Sequence, residues 1–140
     1  MLCDCHAYPT LPASDLTRAR RFYEQVLGFE PSEESPAGIL YDARGSTFML
    51  YPSQYAGTNQ ATAVSFETDD LTGLVGELKG KGVKFEDYDF GDYKTVDGIM
   101  TVDDGRSAWF TDTEGNIISV FQTARAHRWP RDEALERRGA

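Results

Sequence analysis

The chain has 140 residues, 40% of them apolar and 12% aromatic, enough for the core of one domain or of two small halves that share one. Fourteen Lys and Arg against 23 Asp and Glu give a net charge of −9, a field that repels phosphate backbones and argues against a nucleic-acid partner. No apolar run approaches the roughly 18 residues of a membrane span, and "MLCDCHAYP" lacks the basic-then-apolar order of a secretory signal, so a cytoplasmic protein without membrane contact is expected.

At the N-terminus Cys3 and Cys5 lie one residue apart beside His6. A disulfide between them would be strained, and three ligands crowded at a free end make a poor metal site, so they are assigned no chemistry. The extended run "AYPTLP" then leads into "SDLT" at residues 14–17. After Asp15 the apolar residues Leu16, Ala19, Phe22, Tyr23, Val26 and Leu27 fall on one stripe of a 3.6-residue helix, and Gly28 stands where the helix should close. Three segments of strand type follow, "GFEP", "GILYDA" and "TFMLYP", the last two joined by "RGS". "YPSQYAGTNQAT" reads as a linker, with Ser53 and Tyr55 able to reach a nearby rim.

The order then repeats. "TAVSFET" is extended, "DDLT" at 69–72 opens a helix with the stripe Leu71, Leu74, Val75 and Leu78, and Gly82 closes it. "VKFEDY", a stretch around "GIMTV", "SAWFTD" and "IISVFQ" read as strands, the last pair joined by "TEGN". The chain is therefore predicted to be an α+β protein built from tandem βαβββ modules, about residues 5–53 and 61–123. They would form one domain over 1–124, with an Arg-rich C-terminal tail at 125–140 in which "DEALERR" can make a short helix.

Alternation within the strands divides their faces. Phe48 and Leu50, Val64 and Phe66, and Ile118 and Val120 form an aliphatic or Phe face, whereas Met49, Tyr51, Ser65, Glu67, Ser119 and Phe121 form a mixed one. Such a sheet packs its back on helices and lines a partly wet cavity with its front.

The strings "LPASDLTRARRFYEQVLGFEP", "TDDLTGLVGELKGKGVKFED" and "WFTDTEGNIISVFQ" resemble the vicinal oxygen chelate superfamily, which includes glyoxalase I, extradiol dioxygenases and bleomycin resistance proteins. The resemblance implies a curved mixed sheet, or cup, with the helices packed on its outer face. It also implies a metal-ligand position on the first and last strand of each module. By spacing these positions are Tyr8, Met49, Ala63 and Ser119, a set with little affinity for a divalent ion, so no metal and no cofactor is expected.

The cup would then be lined by Tyr8, Met49, Tyr51, Ser65, Glu67, Trp109, Ser119 and Phe121, with Tyr93 brought in from above, a mixture suited to a flat or amphipathic small molecule. The long stretch "EDYDFGDYKTVDGIMTVDDGR" reads as a lid over it, hinged at Gly91 and Gly98. The favoured function is small-molecule binding without a metal, in a homodimer. Two alternatives stand beside it: a metal-independent lyase or isomerase using Glu67, Lys94 and Asp97 as acid–base groups, and a metal-dependent glyoxalase- or dioxygenase-like enzyme.

Overall fold

The computed structural model describes residues 1–103 and 105–123; the Arg-rich tail expected at 125–140 lies outside the described residues. Strand β1 (Thr10–Ala13) is followed by helix α1 (Leu16–Arg21), whose last turn widens into a π-turn over Phe22–Val26. Strands β2 (Pro31–Ser35), β3 (Gly38–Ala43) and β4 (Ser46–Pro52) complete the first module. The second comprises β5 (Thr62–Glu67), α2 (Leu71–Gly80), β6 (Thr95–Val96), β7 (Ile99–Val102), β8 (Gly105–Thr111) and β9 (Ile117–Gln122). The predicted tandem βαβββ architecture is thus the one found. Its cup is made of two hydrogen-bonded sheets, ordered β1-β4-β3-β2 and β5-β9-β8-β7-β6. In each, the module's first strand pairs parallel with its last, β1 with β4 and β5 with β9, and the remaining pairs are antiparallel.

Both helices start as their sequences require. The Asp15 carboxylate accepts from the Arg18 amide and the Asp70 carboxylate from the Gly73 amide, each at 3.0 Å, satisfying a donor that a helix start would otherwise leave open. The first helix departs from a uniform 3.6-residue period. The Leu27 amide bonds the Phe22 carbonyl at 3.0 Å, an i to i+5 link, which lets consecutive Phe22 and Tyr23 both face inward, against Phe110 and Asp112 respectively.

Two predicted strands are displaced. "GFEP" is not a strand; pairing begins at Pro31, in an edge strand exposed along its whole length, which gave the sequence no apolar alternation to show. That edge is held by polar contacts instead: Arg20 pairs with Glu24 at 2.7 Å and with Glu34 of β2, while the Tyr41 hydroxyl donates to Glu24 at 2.9 Å. "VKFEDY" makes only a single bridge, Phe85 to Phe110, because Val83 and Phe85 are consumed in core contacts rather than in a ladder.

One core serves both modules. Phe66 of the second lies 5.6 Å from Phe29 and 5.8 Å from Phe48 of the first, and Phe22 lies 6.4 Å from Phe110, ring centroid to ring centroid. The β8–β9 turn adds a polar clamp. Glu114, its side chain fully buried, accepts from the Ser14 hydroxyl (3.2 Å), the Asp15 amide (2.9 Å), the Arg18 Nε (2.8 Å) and the Thr113 hydroxyl (2.8 Å). Asp112 accepts from the Tyr23 hydroxyl at 2.6 Å and from the amides of Glu114 and Asn116, and the Asn116 side chain donates to the Pro12 carbonyl at 2.9 Å. Asp112, Glu114 and Asn116 of "DTEGN" thereby tie the second module to the first.

Burial alone would raise the Glu114 pKa, but hydrogen bonds from Arg18, the Asp15 amide and Thr113 outweigh it and hold the carboxyl at about 2, against an ordinary 4.5. The folded value lies below the unfolded one, so the stabilisation is fully present above pH 4.5 and is lost as pH falls through about 2. From that displacement it is on the order of 3 kcal/mol. Glu114→Gln is expected to lose about 2–3 kcal/mol at pH 7 in urea unfolding and to flatten the acid limb of the stability curve. An unchanged limb would show that another carboxylate governs it.

Glycines give a second test. Gly115 has φ +86°, and a Cβ there would lie 2.7 Å from the Gly57 Cα across the module boundary, whereas a Cβ on Gly76 in α2 would meet nothing. Gly115→Ala should destabilise by more than about 2 kcal/mol, and Gly76→Ala should stabilise by about 0.5–1 kcal/mol; thermal unfolding of both variants checks the contrast.

Candidate functional site

Strand register sorts the side chains onto two faces. On the second sheet Ser65 pairs with Ser119 and Ser119 with Trp109, and in the next row Glu67, Phe121, Ser107 and Met100 stand side by side. On the first, Thr10, Met49 and Leu40 make one row, and Pro12 and Tyr51 stand in the next. These rows face away from the helices, while Leu50, Phe48, Phe66, Phe110, Ile118 and Val120 of the opposite face belong to the shared core. Met49, Tyr51, Ser65, Glu67, Trp109, Ser119 and Phe121 therefore share the cup face, each on the strand position read from the sequence.

Their exposure differs. Ser119 is buried; Met49, Tyr51, Glu67, Trp109 and Phe121 are half-buried; Ser65 is exposed. Tyr8 and Tyr93, outside the strands, are 48% and 45% exposed. The Tyr88 ring stands perpendicular to Trp109 with centroids 5.5 Å apart, and Phe90 stacks on Tyr88 at 5.6 Å. An aromatic series thus runs from the cup wall out to Phe90, which is 66% exposed. Burial, with Glu86 nearby, raises the pKa of the Tyr88 phenol, which stays a neutral donor at physiological pH. Tyr88 carried no periodicity in the sequence, and only its place in the long loop pointed to it.

The loop expected to be a patternless lid has a hydrogen-bonded base. Thr95 Oγ1 receives the Tyr88 amide and donates to Asp87, each at 2.8 Å; the Thr95 amide bonds the Tyr88 carbonyl at 2.8 Å, and the Phe90 amide bonds the Tyr93 carbonyl at 2.8 Å. Gly98, read as a hinge, is buried against Phe85 and its amide donates to Asp87 at 3.2 Å. The tip, at Gly91, remains exposed.

The three acid–base candidates come from opposite edges of the second sheet. Glu67 is on β5 at one edge of the sheet, whereas Lys94 immediately precedes β6 at the other and Asp97 lies in the β6–β7 turn. Four strand spacings, about 19 Å along the sheet, separate them. The Asp97 carbonyl accepts from the Lys79 ammonium of α2 at 3.0 Å, which draws that turn toward the helix side.

The positions that the resemblance assigns to metal ligands do not fit a divalent ion. Ala63 has no donor and sits where the β5–β9 register shifts, Met49 offers a soft thioether, Ser119 a hydroxyl and Tyr8 an exposed phenol. Among the described residues, no group of three or more His, Cys, Asp and Glu side chains is gathered where it could hold a metal. No helix among them is long and apolar enough to cross a membrane.

A family model described as the Glyoxalase/Bleomycin resistance protein/Dioxygenase superfamily matches residues 6–138. The chain belongs to this superfamily. Among solved structures, that of UcmS2 superposes with a TM-score of 0.67 at 16% identity, covering 84% of this chain and 96% of its own. TnmS3, an antibiotic binding protein from Streptomyces sp. CB03234, gives 0.62 at 21% identity, covering 85% and 97%. FosX, a genomically encoded fosfomycin resistance protein from Listeria monocytogenes, gives 0.61 at 15% identity, covering 84% and 92%. At these identities the likeness is one of fold. A search of the curated proteins finds no match.

Proposed function

We propose that the protein binds a flat aromatic or amphipathic small molecule in its cup, without a metal ion or other cofactor. The observation that carries this reading is the cup face itself: Met49, Tyr51, Trp109 and Phe121 are half-buried rather than packed shut, and Tyr88 braces Trp109 from the loop. Adaptable thioether and aromatic surface with a few hydroxyls suits a planar ligand whose polar edge needs few partners. The donor chemistry of Tyr8, Met49, Ala63 and Ser119 supports independence from metal. The separation of Glu67 from Lys94 and Asp97 supports binding over acid–base catalysis, which needs its groups within hydrogen-bond reach of one reacting atom. That TnmS3 is an antibiotic binding protein supports small-molecule binding on this scaffold. Exposed thiols at Cys3 and Cys5 fit a reducing, cytoplasmic setting.

A thermal-shift titration against planar aromatic compounds tests the proposal. The melting temperature should rise with ligand concentration, unaltered by a chelator, and mass spectrometry should recover the ligand unchanged. Trp109→Ala and Met49→Ala should each weaken binding by about 1–2 kcal/mol. Appearance of a product, or loss of the shift on chelation, would overturn it.

The reading includes a homodimer, supported by large apolar side chains left at the surface: Tyr55, Phe90 and Val96 are 69%, 66% and 64% exposed. Light scattering at micromolar concentration should give twice the 15.6 kDa chain mass; the single-chain mass would refute it.

A further inference from the structure

The strands carry few ionisable side chains, and register divides these by face. Among the described residues Arg106 on β8 is the only basic residue in any strand, and its guanidinium donates to the Thr72 hydroxyl of α2 at 2.9 Å, which puts it on the helix side. Glu34 of β2 stands opposite Ile39 of the core and pairs with Arg20 of α1, so it belongs to the helix side as well. The other strand acids have the opposite parity. Glu33 stands opposite Leu40, the neighbour of Met49; Asp42 stands opposite Thr47, one row along; and Glu67 stands beside Phe121. Glu33, Asp42 and Glu67 therefore face the cup, and no strand position on that face holds a Lys, Arg or His to neutralise them. Lys94 of the loop is exposed and directly precedes Thr95, which shares the row of Met100, so alternation turns the lysine to the other face.

Of the three acids, Glu67 is the one set into the cup wall. Glu33 and Asp42 are exposed, and Asp42 accepts from the Thr47 hydroxyl at 3.2 Å. Glu67 is half-buried, and among the described residues its carboxylate has neither an ion-pair nor a hydrogen-bond partner. A carboxylate partly withdrawn from water feels less screening by salt, and the aromatic ring of Phe121 beside it adds attraction for a cation. Trp109 lies two strand spacings away, about 10 Å, a span that a three-ring aromatic with an amine covers. The net charge of −9 acts in the same direction at longer range, drawing cations and repelling anions.

We propose that the ligand of the cup is a cation: a planar aromatic molecule with a protonated amine, its rings over Trp109 and Phe121 and its N–H groups donating to Glu67. This rests on the function proposed for the cup and adds the ligand's charge.

Equilibrium dialysis in mildly alkaline buffer against planar probes of matched size tests it: 9-aminoacridine, a cation under those conditions; acridine, which is neutral; and anthracene-9-carboxylate, an anion. The cation should bind about tenfold more tightly than acridine, the anion most weakly, and the cation's advantage should shrink as salt is raised. Glu67→Gln keeps the fold, since the carboxylate has no partner to lose, and should bring the cation down to the affinity of acridine. Trp109→Ala should weaken every probe that binds, which separates the cup from the acidic exterior. Equal affinities for the cation and acridine, or a preference that survives Glu67→Gln, would overturn the ligand's charge while leaving the cup as the binding site. No binding by any probe, or binding indifferent to Trp109→Ala, would overturn the function proposed for the cup and this inference with it.

Discussion

The fold depends on burying one carboxylate. The Glu114 side chain has no exposed surface, and desolvating a charge costs several kcal/mol unless its lone pairs are filled. They are filled from the other module: the Ser14 hydroxyl, the Asp15 amide and the Arg18 guanidinium all come from the start of α1. Arg18 keeps half of its side chain in water, so the pair leaves its cation solvated. Because these donors lie about a hundred residues away in sequence, the carboxylate is satisfied only when the two modules are in register, and any other docking strands it. The same turn places Asp112 under the Tyr23 hydroxyl, so the second clamp point forms only with the first.

Fixing the modules fixes the cup. The two sheets share no ladder, so their relative position comes from the clamp, from the Phe29–Phe48–Phe66 ring cluster and from the close pass of Gly57 over Gly115. All three lie away from the cup rows, on the helix side or at the turn. That division lets the cup face vary in chemistry with little effect on the packing that shapes it, as expected where one scaffold carries many functions.

Much of this was legible in the sequence because it rests on local rules. Asp15 and Asp70 read as helix starts, and the alternation of "TAVSFET" and "IISVFQ" assigned Ser65, Glu67, Ser119 and Phe121 to one face, since a strand has only two. What was not legible depended on distant partners. Strand β2 has no apolar alternation and is held by Arg20 and Glu34; the π-turn at Phe22 answers to Phe110 and Asp112; the loop base at Thr95 is closed by Asp87 and Tyr88. "DTEGN" was visible as a turn and as a family mark, but its role as a clamp needs Tyr23 and Arg18, which no local pattern joins to it.

The β5–β9 pair bears on both faces at once. Phe66 and Val120 border an apolar recess of about 240 Å³ on the helix side, and their neighbours Glu67, Ser119 and Phe121 stand in the cup rows. A single layer of backbone separates the two. Side chains of a close-packed sheet transmit displacement rather than absorb it, so the packing of the recess also sets the rigidity of the cup wall behind it. Helix α2 is the softer boundary, since Gly73, Gly76 and Gly80 weaken its propensity and only Leu71, Val75 and Leu78 are buried along it. Changes in recess packing should therefore be taken up by α2 before the strands, leaving the clamped end of the cup, near Glu114, the least affected part of the molecule.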